Sequence, residues 1–115
     1  MDERLEKALD FSKYMITLNN QRKLINEKFQ EQSIHYYQGG KFSVTRELVA
    51  FVQSLLNMHQ TQTILIDDNE IPIEIEDLEK FSKDLYSTYF EAANQYLSEY
   101  NKIKKNRTVE GLINL

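Results

Sequence analysis

The sequence predicts a mainly α fold, with two long antiparallel helices, a shorter helix and one small β-hairpin. Three observations predict it. Residues from Asp2 to about Tyr37 contain no glycine or proline and repeat apolar residues at spacings of three and four. Residues from about Asp77 to Lys105 do the same. Between them, QTILIDDNEIPIEIEDLEKF (Gln62 to Phe81) alternates apolar and polar residues with period two before it turns helical.

In the first helix Asp2 and Glu3 complement the positive end of the helix dipole. Its apolar stripe runs Leu5, Ala8, Phe11, Met15, Leu18, Ile25, Phe29 and Tyr36, interrupted by Arg22 and Gln32. At about 1.5 Å per residue this helix exceeds ~50 Å, more than a globule of this size requires. Gly39-Gly40 ends it, since tandem glycines supply the left-handed conformations of a helix C-terminus. Phe42 to Val44 reads as a short extended piece. Thr45 or Ser43 then caps a second helix from Arg46 to about His59, with Leu48, Val52 and Leu55 on one face and Phe51 and Leu56 beside it.

The hairpin at about residues 62–75 places Ile64 and Ile66 in alternation with Leu65 and Asp67, turns through Asp67-Asp68-Asn69-Glu70, and returns through Ile71, Ile73 and Ile75. Pro72 lacks an N–H donor, so its strand is an edge. The last long helix starts with Glu76, Asp77 and Glu79 at its positive end and finishes with Lys102, Lys104, Lys105 and Arg107 at its negative end. Leu78, Phe81, Leu85, Tyr89, Ala92, Tyr96 and Ile103 form its stripe, widened by Phe90, Ala93 and Leu97. Residues 1–107 thus read as a single helical domain and 108–115 as a C-terminal tail, in which Thr108 caps one further turn.

Composition narrows the function classes. At 115 residues the chain fits one domain. It has no cysteine, which excludes disulfides, thiolate catalysis and cysteine-based metal sites. The net charge of −4 argues against direct binding of a nucleic-acid backbone. The acidic, amphipathic start lacks the pattern of a signal peptide, and no stretch reaches the ~18 apolar residues of a membrane span. The chain is therefore expected to be neither exported by this route nor membrane-spanning, without a membrane partner.

No catalytic, cofactor or metal site is expected. The acidic turn fails the calcium-loop pattern, because Ile71, Pro72 and Leu78 occupy the fifth, sixth and twelfth positions, where an oxygen ligand, a glycine and a glutamate are needed. His35 and His59 have no ligand or nucleophile partner at a recognised spacing and read as polar residues near helix ends. The richest resource is aromatic, seven tyrosines and six phenylalanines. Tyr89, Tyr96 and Phe81 belong to the core stripe, whereas Tyr14, Tyr37 and Tyr86 lie off it and are candidate partner-binding residues.

The tail Thr108-Val109-Glu110-Gly111-Leu112-Ile113 resembles the short sliding-clamp-binding tails of T-even-like phage polymerases and late-transcription factors, although Gly111 and Ile113 stand where aromatic anchors are usual. That resemblance makes Val109, Leu112 and Ile113 further partner-binding candidates. MDERLEKALDFSKYMITLNNQ, LIDDNEIPIEIEDLEKF and KKNRTVEGLINL are similar to segments of small, uncharacterised proteins carried by T-even-like tailed phages of marine cyanobacteria. The resemblance implies a viral context, in the host cytoplasm or the virion, and phage-encoded protein partners. The expected function is non-enzymatic, helix-mediated association as a virion component or assembly factor, with the long helices forming a homo-oligomer. The alternative expectation is a replication or late-transcription accessory protein docking on a clamp through its tail.

Overall fold

A computed structural model describes residues 2–115. The chain is mainly α, with helices α1 (Glu3–Gln32), α2 (Arg46–Asn57), α3 (Leu78–Lys105) and α4 (Val109–Ile113). Four short strands form two separate antiparallel hairpins, β1 (Ile34–Tyr37) with β2 (Gly40–Ser43) and β3 (Thr63–Ile66) with β4 (Pro72–Ile75). Two compact units divide the chain: a central unit, Gln30–Ala93, and a terminal unit made of Met1–Phe29 and Asn94–Leu115.

The first hairpin corrects the expected end of helix one. α1 stops at Gln32, and Ile34 to Tyr37 are strand, with β-branched and aromatic side chains that suit a pleated surface. The glycines are a hairpin turn and not a helix cap. Gln38 and Gly39 both take positive φ, 47° and 79°, the requirement of a two-residue type I′ connection between Tyr37 and its partner Gly40. The inner face of this hairpin carries the paired His35 and Phe42, and Tyr37 opposite Gly40, while Tyr36 is exposed.

The second hairpin lies where the alternation placed it, with β3 facing the other way. Leu65 and Asp67 are buried and Ile64 and Ile66 are exposed, so Thr63 and Leu65 meet Ile75 and Ile73 on the inner face. Ile64-Leu65-Ile66 is apolar on both faces, and the parity is set by Asp67. Its Oδ1 accepts from the Asn69 and Ile71 N–H groups at 2.9 and 2.8 Å, and its Oδ2 from the Lys41 N–H at 3.0 Å. Asp68 extends the link: its N–H donates to the Lys41 carbonyl at 2.8 Å, and its carboxylate accepts from the Ser43 hydroxyl at 2.6 Å. The acidic turn therefore joins the two hairpins.

In the central unit Phe42, Val44, Val52, Leu65, Ile73, Ile75, Leu78, Phe81 and Leu85 form one buried cluster. α2 starts on Thr45, whose side chain accepts from the Leu48 N–H, and it ends with His59 at φ 63° and a Gln60 N–H to Leu55 carbonyl bond of 3.0 Å. That is a Schellman closure with histidine in the position glycine usually takes. α3 starts on Asp77, whose carboxylate accepts from the Lys80 N–H.

The terminal unit has a smaller core: Leu18 and Ile25 of α1, Ile103 of α3 and Leu112 of α4. Tyr14 donates to the Asn106 carbonyl, Asn26 to the Tyr96 hydroxyl, and Lys28 pairs with Glu99 at 2.6 Å. Tyr14, early in α1, meets Asn106 just past the end of α3, whereas Asn26 and Lys28, late in α1, meet Tyr96 and Glu99 about two turns before that end, so the two helices run antiparallel here. α4 is capped by Thr108, and a side chain at Gly111 would place its Cβ 2.6 Å from Asn106 Oδ1. Any other residue there would have to displace the Asn106 amide.

Candidate functional site

A groove of about 480 Å³ runs between α2 and α3 inside the central unit. Val49 and Ala50 form one wall, and Tyr86, Tyr89 and Phe90 the other. The spacing of these three aromatics, three and four residues apart, puts them on one face of α3, one step round from the buried Leu78, Phe81 and Leu85. Tyr86 stacks on Phe90 at 6.3 Å, and Tyr89 meets the same ring edge-on at 5.6 Å. Phe90 is 56% exposed, a large fraction for a phenylalanine held by two other rings.

Thr45, Arg46, Gln53, Ser54 and Asn57 supply the polar rim. No carboxylate lies within ion-pair distance of Arg46 among the described residues. The site therefore offers stacking surface, amide and hydroxyl hydrogen bonds along one helix, and a single guanidinium. It contains no carboxylate, histidine or cysteine to form an acid–base pair or hold a metal.

The structure brings only one of the expected partner-binding residues to this groove, Tyr86. Tyr37 is on the inner face of β1, edge-on to Phe81 at 5.5 Å. Tyr14 packs against the terminal core and spends its hydroxyl on the Asn106 carbonyl at 3.1 Å. In the tail, Leu112 is fully buried, Val109 is half-buried and Ile113 is exposed. The three do not form one surface.

His35 is wedged against Phe81, ring centroids 5.4 Å apart, with Nε2 buried and without a hydrogen-bond partner. Burial lowers its pKa, and the nearby Asp84 charge opposes that shift. Asp67 is held below the usual carboxylate range, first by the Lys41 N–H and then by those of Ile71 and Asn69, against the effect of burial. Both groups are perturbed by structural roles. Compared with known proteins, the chain matches no family model, no curated protein and no solved structure. No helix among the described residues is long and apolar enough to cross a membrane.

Sequence reasoning missed Phe90 and the α2 wall. The signal was present in Tyr86, Tyr89 and Phe90, which make the aromatic face of α3 wider than one stripe needs. In the sequence Phe90 only widens the core stripe, because periodicity identifies apolar faces without saying which of two adjacent faces is covered.

Proposed function

We propose that the protein is a non-enzymatic association module that receives an apolar helical segment of a protein partner in the α2–α3 groove. The observation that supports this reading most directly is the exposure of Phe90 between Tyr86 and Tyr89, since aromatic residues at a half-buried groove are the usual anchors of protein interfaces. Arg46, unpaired at the rim, favours a partner with an acidic residue beside its apolar face. The resemblance to small proteins of T-even-like phages favours a viral setting, with the chain as a virion component or assembly factor and a phage-encoded partner.

Mass spectrometry of purified virions tests this. The wild-type chain should be present, and Phe90→Glu should be lost from the particle while keeping its circular dichroism and thermal midpoint. Absence of the wild-type chain would overturn the virion role, and incorporation of Phe90→Glu at wild-type level would overturn the groove.

Docking on a sliding clamp through Val109, Leu112 and Ile113 finds less support. Leu112 would have to leave its core, at a cost of about 2–3 kcal/mol for the side chain alone. A tail that must first unpack loses the low ordering cost that makes chain-end docking efficient.

A further inference from the structure

α1 carries apolar residues on two opposite faces. Leu18 and Ile25 point into the terminal core, whereas Leu5, Leu9 and Ile16 lie roughly 140° to 180° around the helix from Leu18 and are 51%, 42% and 62% exposed. With Ser12 between them, these positions follow a four-three-four spacing, which is the seam of a two-helix pair. None of the described residues covers them.

We infer that the outer face of α1 binds the same face of a second copy, antiparallel, with Leu5 opposite Ile16 and Leu9 opposite Ser12. The inference goes beyond the groove reading and concerns a different surface. The flanking charges argue for this register. Glu6 and Lys13 lie one heptad apart on the same side of the seam, and neither has an ion-pair partner among the described residues; the pair Lys7–Glu3 lies away from the seam. In the antiparallel register Glu6 of each copy meets Lys13 of the other, and two-fold symmetry makes the pairing twice. A parallel pair would instead bring the Asp2 carboxylates of both copies together and set Lys13 beside Ala8.

The seam spans twelve residues, about 18 Å of helix, so its interface is smaller than that of a permanent dimer. The pair should be in equilibrium with monomer, populated at about 100 µM and dissociating on dilution. A contact of this strength suits an assembly factor that must let go.

Sedimentation equilibrium of the full chain at ~100 µM tests the inference. Wild type should show a reversible dimer. Leu9→Asp should be monomeric with an unchanged circular dichroism spectrum, because Leu9 takes no part in the core. Glu6→Lys and Lys13→Glu should each weaken dimerisation several-fold, and the double swap should restore it. Because the chain has no cysteine, Glu6→Cys mixed with Lys13→Cys should give a disulfide-linked heterodimer, with little cross-linking of either alone. A wild-type monomer at this concentration overturns the inference and leaves the groove reading to its own test. A dimer indifferent to Leu9→Asp and to the charge swaps also overturns it, while leaving self-association by another face intact.

Discussion

The central and terminal units are built from the same residue types but held in different ways. The central unit closes nine buried apolar side chains between two hairpins and two helices, with the rings of Phe42, His35, Tyr37 and Phe81 in edge-on contact. The terminal unit buries four apolar side chains between two long helices and one short one, and supplements them with polar contacts from Tyr14, Gln21 and Lys28. Three-sided enclosure lets a short segment bury whole side chains, whereas helix against helix covers only one stripe of each. Stability should therefore be concentrated in residues 30–93, and free surface on α1.

The strongest challenge to that contrast is Phe81→Ala. Phe81 is 1% exposed and touches three other rings, so its loss should cost about 3–5 kcal/mol in urea unfolding. A cost below about 1.5 kcal/mol would mean the hairpins are not held by this ring. Next is Leu112→Ala, expected to cost about 2–3 kcal/mol because α4 is short and can partly collapse. Hydrogen exchange should show lost protection around Leu18, Ile25 and Ile103, with the β1–β4 amides still protected. Equal loss in both units would show that they unfold as one.

Acid should act on the central unit in two stages. The His35 pKa is lowered in the fold, so the unfolded chain binds the extra proton first; its contribution is present above the ordinary value of 6.5 and is lost as pH falls below it. Asp67 is also lowered, so its contribution is present above the ordinary 3.8 and is lost as pH falls further. Thermal midpoints from pH 8 to 3 should fall in both windows. Asp67→Asn should lower the midpoint by several degrees at pH 7 and flatten the lower window, because an amide nitrogen cannot accept from the Lys41 N–H. An unchanged lower limb in that variant would assign acid sensitivity elsewhere.

These central-unit features differ in how well sequence could show them. The second hairpin and α2 were legible because their periods change abruptly at Thr45, Gln62 and Asp77. The first hairpin was hidden, since residues 30–37 contain no glycine or proline to mark the end of the helix and Gly39-Gly40 suits a helix end and a hairpin turn equally. The face of β3 was illegible for a different reason: three consecutive apolar residues leave parity open, and it is decided by Asp67 reaching Lys41, 26 residues away. Tyr86 is legible because it lies off the core stripe. Tyr14 and Tyr37 met the same criterion and pack inward, since a residue off one stripe can face a third element that sequence does not locate.

The smallest expected effect bears on the terminal unit. Lys28 and Glu99 meet at 2.6 Å, Gln95 donates to the same carboxylate at 2.9 Å, and the Glu99 pKa is lowered, first by Lys28 and then by Gln95. The Lys28 side chain is 47% exposed, so water and salt screen the pair, and Lys28→Ala should cost only about 0.5–1 kcal/mol. That loss should shrink further in 1 M salt. Its position matters more than its strength: it fixes which turn of α1 meets which turn of α3, while Leu18, Ile25, Ile103 and Leu112 supply the attraction. A cost above about 2 kcal/mol, unchanged by salt, would reverse that assignment and make polar contacts the principal hold on the unit whose other face is left open.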